Sequence, residues 1–375
     1  MVRFLHTSDW QLGMTRHFLR PAAQARFTDA RIEAIRTIGR IAKDEGCAFV
    51  AVAGDVFESN LVDRGVLSRA LEAMREPAVP FYLLPGNHDA LSPGSLWLSS
   101  AFEANRPPNV QVLADQPIEV APAEWLAGAP YRSRKASGDP LAAALERCRE
   151  LPGSAVVIGH GQVESLVPDV GQPGLIALAP VAEAIDSGKV AYIGLGDRHS
   201  RTGVGETGRL WYSGAPEPTD YDEDDPGWVL VVDTAGGTCD VRSHRVATWK
   251  FVRETFPFGE RGDVGRLRTW LDGLPTKDRT IVKLSFVGTL SLAGRTELDG
   301  VLDHFADTFA AIERWERHTD LAVVADDADF GELGLHGFAS LAAEELAGLA
   351  ADPGIAGRTA QDALALLHRL AKGAA

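Results

Sequence analysis

Cysteine is scarce in this chain of 375 residues. Cys47, Cys148 and Cys239 lie far apart, are odd in number and form no C-x-x-C pair. Neither a disulfide frame nor a thiolate zinc site is expected; buried thiols in a reducing cytoplasm are. Long apolar runs are missing too. No stretch approaches the roughly eighteen uninterrupted apolar residues of a membrane helix, so no span is expected. The opening MVRFLHTSDW is too short and too polar to read as a signal peptide. Positive charge is in deficit: 37 Lys and Arg stand against 52 Asp and Glu, a formal net charge of −15. Such a balance repels polyanions at long range and counts against a protein that coats nucleic acid by bulk charge. It leaves room for a local basic track or a cation-filled site, because bound divalent ions reverse the local sign. Internal repeats and low-complexity segments are absent.

What is present fits a soluble globular protein of two domains: 45% hydrophobic and 24% charged residues over a length that exceeds one ordinary core. Residues 2–8 read as a strand. Phe27, Ala30, Ala34, Ile38, Ile41 and Ala42 recur at helical spacing over 22–45, and Gly46 is a natural stop. CAFVAVAGD, VPFYLLPGNHD, AVVIGHG (155–161) and VAYIGLGD (190–197) are short apolar runs suited to buried strands, with helical segments between them, 63–75 among them. This alternation predicts an α/β fold. After 208, RLWYSG, GWVLVVD and DVRSHRVATW read as consecutive antiparallel strands. The acidic run YDEDDPG (221–227) reads as a solvated loop, since it lacks the ligand spacing of a calcium loop. From about 250 a smaller α/β region follows, with helices at LRTWLDGL and ELDGVLDHFADTF and strands at RTIVKLSFVG and AAIERWERH. The end is helical: Leu335, Phe338, Leu341, Leu346 and Leu349 share a stripe, and Thr359 with Asp362 resembles a capping box opening a helix that Gly373 ends. The expected boundaries are 1–247, 248–332 and 333–375.

Each early buried strand ends in side chains able to bind metal. SDWQ supplies Asp9 and Gln11, GD supplies Asp55, GNHD supplies Asn87, His88 and Asp89, GHG supplies His160, and GDRH supplies Asp197 and His199. In open α/β sheets, ligands bind beyond the carboxyl ends of the strands, where such turns converge. A single GD or strand-end histidine is common and more often structural. Five such pieces in order, each after an apolar run, predict a metal site.

The order D-x-Q, GD, GNHD, GH, G-D-x-H resembles the calcineurin-like metallophosphoesterases. HTSDWQLG, GDVFES, LLPGNHD, YIGLGDRHSR and WYSGAPEPT resemble more closely the SbcD-type DNA-repair nucleases. The resemblance spans about residues 1–220 and is looser beyond. It implies a two-sheet β-sandwich flanked by helices, with a small α/β cap and C-terminal helices, and a centre of two divalent cations, manganese with magnesium as the alternative. Carried over, Asp55 bridges the ions. Asp9, the Gln11 position and His199 complete one site, and Asn87, His160 and the Asp197 position the other. His88 faces the scissile phosphate without ligating, and Asp89 either orients His88 or caps the turn. The chain departs from the family at two ligands: D-x-Q stands for D-x-H, and G-D-x-H for G-H-x-H. A neutral amide oxygen is a weaker ligand than imidazole, so the Gln11-side ion is expected to be the weaker, and the oxygen-rich shell favours manganese or magnesium. Paired cations clamp a phosphate and stabilise in-line displacement, and an imidazole can hold or give up a proton near neutral pH.

For DNA, Arg198 is the preferred phosphate contact, with Arg132 behind it; Arg134, Lys135 and Arg201 are nearby in sequence, and Trp10 is either a contact or a packed indole. The expectation is a cytoplasmic DNA exo- or endonuclease of the SbcD type acting in DNA repair, with an SMC-like ATPase of the SbcC type as partner. The family implies a homodimer, and the amphipathic C-terminal helices either dock the ATPase or close the chain's own core. The alternatives are a phosphodiesterase on small or nucleotide substrates, and a non-catalytic scaffold with a degenerate metal site.

Overall fold

The structure is a computed structural model and describes residues 2–169, 172–235, 238–260, 262–324, 337–350, 352 and 354–373. The chain forms two compact units. One comprises residues 1–17 and 24–249, the other 18–23 and 250–375. The boundary expected at 332, and Leu335 with it, lie outside the described residues.

The first unit is a sandwich of two six-stranded sheets, with helices on the outer faces. Its first sheet has the order β12-β11-β1-β2-β3-β4: β1 (Val2–Thr7), β2 (Val50–Val52), β3 (Phe81–Leu83), β4 (Val110–Val112), β11 (Trp228–Ala235) and β12 (Thr238–Arg245). From β1 to β4 the strands are parallel. The second sheet runs β5-β6-β7-β8-β10-β9: β5 (Ile118–Ala121), β6 (Glu124–Gly128), β7 (Ser154–His160), β8 (Val190–Gly196), β9 (Thr202–Val204) and β10 (Leu210–Tyr212). Here β6, β7, β8 and β10 are parallel. Alternation within β1 explains the layering. Phe4 points between the sheets to join Phe49, Tyr82, Ile158 and Tyr192, while Leu5 points outward to a core shared with Ile35 and Ile38 of α1 (Pro21–Asp44), Leu71 of α2 (Arg64–Arg75) and Phe102 of α3 (Ser100–Asn105). On the other outer face, α4 (Ala142–Glu150) and α5 (Leu178–Asp186) cover β7 and β8 through Leu145, Cys148, Val181 and Ile185.

Two strand expectations are corrected. RLWYSG does not run antiparallel with the strands after it: β10 lies parallel to β8 in the second sheet, and only β11 and β12 form the antiparallel pair, in the first. An apolar alternation states that a segment is a strand, and says nothing of which sheet edge receives it. Of AAIERWERH, only Ala311–Arg314 is strand, and Glu316–His318 turns as a short 3-10 helix.

In the second unit, β13 (Lys250–Phe258), β14 (Thr280–Ser291), β15 (Ala311–Arg314) and β16 (Asp320–Val324) form a parallel sheet centred on β14, whose two halves pair with β15 and β16. Two helices, α6 (Asp263–Gly273) and α7 (Leu292–Phe305), bury Leu267, Leu271, Leu298 and Phe305 against it. The C-terminal helices span Phe338–Ala350 and Ile355–Gly373 and meet at Ala343 and Leu364. Thr359 is not their cap. That helix starts four residues earlier, Thr359 Oγ1 donates back to the Ile355 carbonyl, and Asp362 receives Arg295. Cys47 and Cys148 are buried free thiols and Cys239 is half-buried. Among the described residues no helix is long and apolar enough to cross a membrane.

Candidate metal centre

The parallel strands of both sheets end at one place. Asp9 follows β1, Asp55 follows β2, Asn87 and His88 follow β3, His160 closes β7, and Asp197 follows β8. Backbone contacts tie these turns together: the Asp9 amide donates to the Gly54 carbonyl at 3.1 Å and the Gln11 amide to the Asp55 carbonyl at 2.9 Å. Across the sandwich, the Asp197 amide donates to the Asp9 carboxylate at 3.1 and 3.2 Å. The close approach of the sheets requires glycine at two points. A Cβ on Gly54, which holds φ +86°, would land on Nδ1 of His160, and one on Gly196 would land on the Ala53 carbonyl oxygen.

Strain gathers here as well. Asp9, Gln11, Asp55 and Asp197 all hold positive φ, at 53°, 44°, 49° and 93°. Non-glycine residues rarely occupy that region unless the surroundings force them to. Four of them in one cluster mark a place where side-chain direction outranks backbone comfort.

The atoms that meet are mostly acceptors. His160 donates Nδ1–H to the Ala53 carbonyl at 2.9 Å, which turns Nε2 toward Asn87 Oδ1 at 2.8 Å, Asp55 Oδ2 at 3.5 Å and Asp197 Oδ1 at 3.7 Å. Turned over, the Asn87 amide would instead donate to His160 Nε2 at 2.8 Å and to Asp55 at 3.1 and 3.2 Å. Asp197 Oδ2 is buried with no partner. Asp9, Asp55 and His160 can each aim a ligand atom into one space less than 4.8 Å across, and all three are buried. Anionic oxygens in that arrangement repel one another unless positive charge, a proton on His160 or a cation, lies among them. Adjacent ligands of an octahedral ion with ~2.1 Å bonds stand about 3.0 Å apart, so the spacing around His160 fits such an ion. Electrostatics agree. Burial works against charge on His160, but Asp55, Asp9 and Asp197 outweigh it and lift its pKa to about 9. Burial opposes charge on His199 too; the hydrogen bond it donates to Glu223 and the nearby carboxylates raise it to about 9. Asp9 is pushed up by burial, with Asp55 adding and the two histidines opposing. The pocket attracts positive charge in whatever form is available.

His199 sits at the far side of Asp9, with Nε2 3.9 Å from Asp9 Oδ1 and 3.2 Å from Gln11 Nε2. Its Nδ1 lies 2.8 Å from Glu223 Oε1 and 2.8 Å from Thr219 Oγ1. Glu223 is a residue the sequence reading missed. It belongs to the acidic run taken as solvated, yet its side chain is only 7% exposed and accepts the Thr219 amide at 3.0 Å. Asp225 of the same run holds Arg201 and the Trp228 indole. The loop folds inward at these two residues, and only Asp222 and Asp224 remain exposed.

His88 and Asp89 have separate tasks. The His88 ring is about one-third exposed, with Nδ1 3.1 Å from the Glu58 carbonyl and Nε2 4.0 Å from Asp55 Oδ2. Asp89 is fully buried and spends its carboxylate on backbone, accepting from Phe57 N at 2.9 Å and Gly86 N at 2.7 Å. It caps the turn; the Glu58 carbonyl orients His88.

A cavity of about 570 Å³ opens at the centre, lined by Gln11, His88, Asp197, His199, Arg16 and Arg198 and by the acidic loop. Arg198 lines it while bonded to Thr202 at 2.9 Å and Asp224 at 3.5 Å. Arg132 lines a different cavity, of about 410 Å³, and pairs with Asp115. Trp10 is 2% exposed, donates to Thr7 and packs edge-on to Phe81, so it is a core residue and no DNA contact.

Residues 2–166 match the family of calcineurin-like phosphoesterases. No curated protein matches the chain in sequence. Among solved structures, TT1561 of Thermus thermophilus is 14% identical, the match covering 65% of this chain and 99% of that one, with a TM-score of 0.41. The 5'-nucleotidase precursor from the same organism is also 14% identical, covering 65% of this chain and 54% of that one, with a TM-score of 0.38. The family match and the cluster of converging ligand atoms together support a metal-dependent phosphoesterase.

Proposed function

We propose that the chain is a divalent-metal-dependent phosphodiesterase that cuts DNA, a nuclease of the SbcD type. The observation that carries the metal-dependent chemistry is the cluster of Asp9, Asp55, Asn87, His160 and Asp197, whose ligand atoms converge beside an open cavity that Asp197 lines. The DNA substrate rests on the motifs HTSDWQLG, GDVFES, LLPGNHD and YIGLGDRHSR. Manganese or magnesium bound there would draw charge from a phosphoryl oxygen and acidify a water. The protein supplies the rest. Asp55 is fixed by the His88 amide at 3.0 Å, Asp9 by Ser8 Oγ at 2.6 Å, and His160 by the Ala53 carbonyl, so the pocket is organised before substrate arrives. His88, with Nδ1 engaged by Glu58, turns Nε2 toward the cluster, where in its protonated form it donates to a phosphoryl or leaving oxygen. Arg198 and Arg16 border the cavity and contact the phosphates on either side. An SMC-like ATPase partner belongs to this proposal. Phe338, Leu341, Ile355 and Leu370 are exposed on the C-terminal helices and offer it an apolar face.

One observation favours a second reading, a small or nucleotide phosphodiester. Asp220, Asp222, Glu223 and Asp224 share the cavity wall, and their charge opposes a polyanion more than a single ester. The deciding assay gives the purified protein manganese and compares linear duplex DNA, single-stranded DNA and bis-p-nitrophenyl phosphate. Cleavage of DNA that is lost in Asp55→Asn supports the nuclease. Hydrolysis of the small ester with intact DNA assigns the second reading, and no hydrolysis of either in a metal-loaded protein assigns a scaffold.

A further inference from the structure

Two cavities border the ligand cluster, and they carry different charge. The larger one is walled by the acidic loop, Asp220, Asp222, Glu223 and Asp224, together with Arg16 and Arg198. The other, of about 410 Å³, lies at Tyr131. Tyr131 is the wall it shares with the cluster: the ring stands edge-on to His160, with the centroids 5.6 Å apart. The backbone of Tyr131 is held on both sides. Its amide donates to the Pro85 carbonyl at 3.0 Å, and its carbonyl accepts the Leu91 amide at 2.8 Å. The turn that carries Asn87 and His88 therefore fixes where the ring stands.

Arg132, Lys135 and Arg147 line this second cavity, with Asp115 and Asp139. The two carboxylates do not cancel the three cations. Asp139 spends both oxygens on backbone, accepting from the Leu141 amide at 2.8 Å and the Ala177 amide at 3.1 Å. Asp115 serves two guanidinium groups, that of Arg132 and, at 3.8 Å, that of Arg147. Lys135 is exposed, and among the described residues its ammonium pairs with no carboxylate. In a chain of net charge −15, surplus positive charge in a cavity beside a phosphoesterase centre calls for an anion. Guanidinium and ammonium donors together suit a phosphate.

We propose that this cavity is a second phosphate site, which takes a backbone phosphate of a nucleic-acid strand whose scissile phosphate lies at the metal centre. The proposal rests on the nuclease reading above and deepens it, since a substrate that fills both sites is a strand of several nucleotides and not an isolated ester. It also gives the strand a direction. The acidic loop repels a further phosphate, while Arg132, Lys135 and Arg147 attract it, so the strand leaves the centre across Tyr131.

Binding tests this without turnover. A fluorescein-labelled thymidine dinucleotide, tetranucleotide and octanucleotide are each titrated with the full chain and followed by anisotropy, with no metal added so that the strand stays whole. Affinity is expected to rise by about tenfold or more from the dinucleotide to the octanucleotide, the worth of one hydrogen bond to a charged group. Arg147→Gln and Lys135→Gln should each lose most of that gain. In each, the slope of log affinity against log salt should flatten by about 0.7, the loss of one single-strand phosphate contact. Arg40→Gln removes an exposed charge of α1 that lines neither cavity, and should bind as the unaltered protein does. Affinity that does not grow with length overturns the proposal, as does a gain that survives both cavity variants or falls equally in Arg40→Gln. If inorganic phosphate raises the melting temperature of the unaltered protein but not of Arg147→Gln, while affinity ignores length, the cavity takes a free anion and the proposal falls. Each of these failures leaves the phosphodiesterase reading to the manganese assay on bis-p-nitrophenyl phosphate, which has no second phosphate. Should Arg147→Gln not fold, Lys135→Gln, altered at an exposed loop residue, decides alone.

Discussion

Glu223 Oε1 lies 2.8 Å from Nδ1 of His199, across a separation of 24 residues, and the pair is largely buried. The contact favours the protonated ring and fixes which ring nitrogen faces the cavity. Glu223 is a positioning residue, and Glu223→Gln tests it with little change of volume. The variant loses the charge that favours imidazolium and keeps an acceptor for Thr219. In the metal-free protein, an NMR titration of His199 should show its pKa falling from about 9 toward the ordinary 6.5. An unchanged value would assign the raised pKa to Asp9 and Asp197 alone.

A pH dependence follows from both histidines. Their pKa values of about 9 exceed the 6.5 of an unfolded chain. Between those limits the folded metal-free protein holds protons that the unfolded chain has released. This contribution to stability is fully present below pH 6.5 and is lost as pH rises through 9. The melting temperature of the metal-free protein should therefore fall from pH 6.5 to 9. Metal binding follows the opposite slope, because a cation must displace the proton from His160. Apparent manganese affinity should climb by about tenfold per pH unit over the same interval, as read by calorimetry. Stability in saturating manganese should then hold level where the metal-free protein declines.

Gly54→Ala should damage fold and centre together. Position 54 holds φ +86°, and an added methyl would land on the His160 ring. A denaturant melt should report a loss of more than about 1 kcal/mol, since alanine is strained at positive φ even in open space. Manganese content should drop in parallel, because the ring that must yield is a ligand. A variant that melts earlier yet binds metal normally would show that the neighbouring strands absorb the methyl.

The parts of this molecule legible in the sequence are those where chemistry restricts residue type. A buried parallel strand must be apolar, and polar residues crowded at its carboxyl end have no packing explanation, so Asp9, Asp55, Asn87, His160 and Asp197 are each visible before the fold is known, and the structure places them together. Glu223 is hidden because an acidic loop looks alike in sequence whether all its carboxylates face water or one is turned inward. The sheet that receives β10 is hidden because pairing across the sandwich is set by long-range packing. The orientation of the Gln11 amide is hidden because it depends on where His199 points, and that is decided by Glu223.

His88 and Asp89 are adjacent, and their substitutions should have opposite consequences. Asp89 is fully buried, and its carboxylate accepts the amides of Gly86 and Phe57, which join the turn after β3 to the turn after β2. Asp89→Ala strands both amides and should cost about 2–3 kcal/mol in a denaturant melt. Any activity lost would follow the fraction unfolded, and Asp89→Asn, which keeps one acceptor oxygen, should recover part of the stability. His88 is partly exposed and its Nε2 stands 4.0 Å from Asp55 Oδ2. His88→Ala should leave the melt almost unmoved and manganese content unchanged, while hydrolysis of bis-p-nitrophenyl phosphate falls by about 10²–10⁴-fold, the range for loss of a general acid. The decisive comparison is metal content at full folding. If His88→Ala sheds manganese along with activity, the ring is a ligand, and proton donation must be sought elsewhere on the cavity wall.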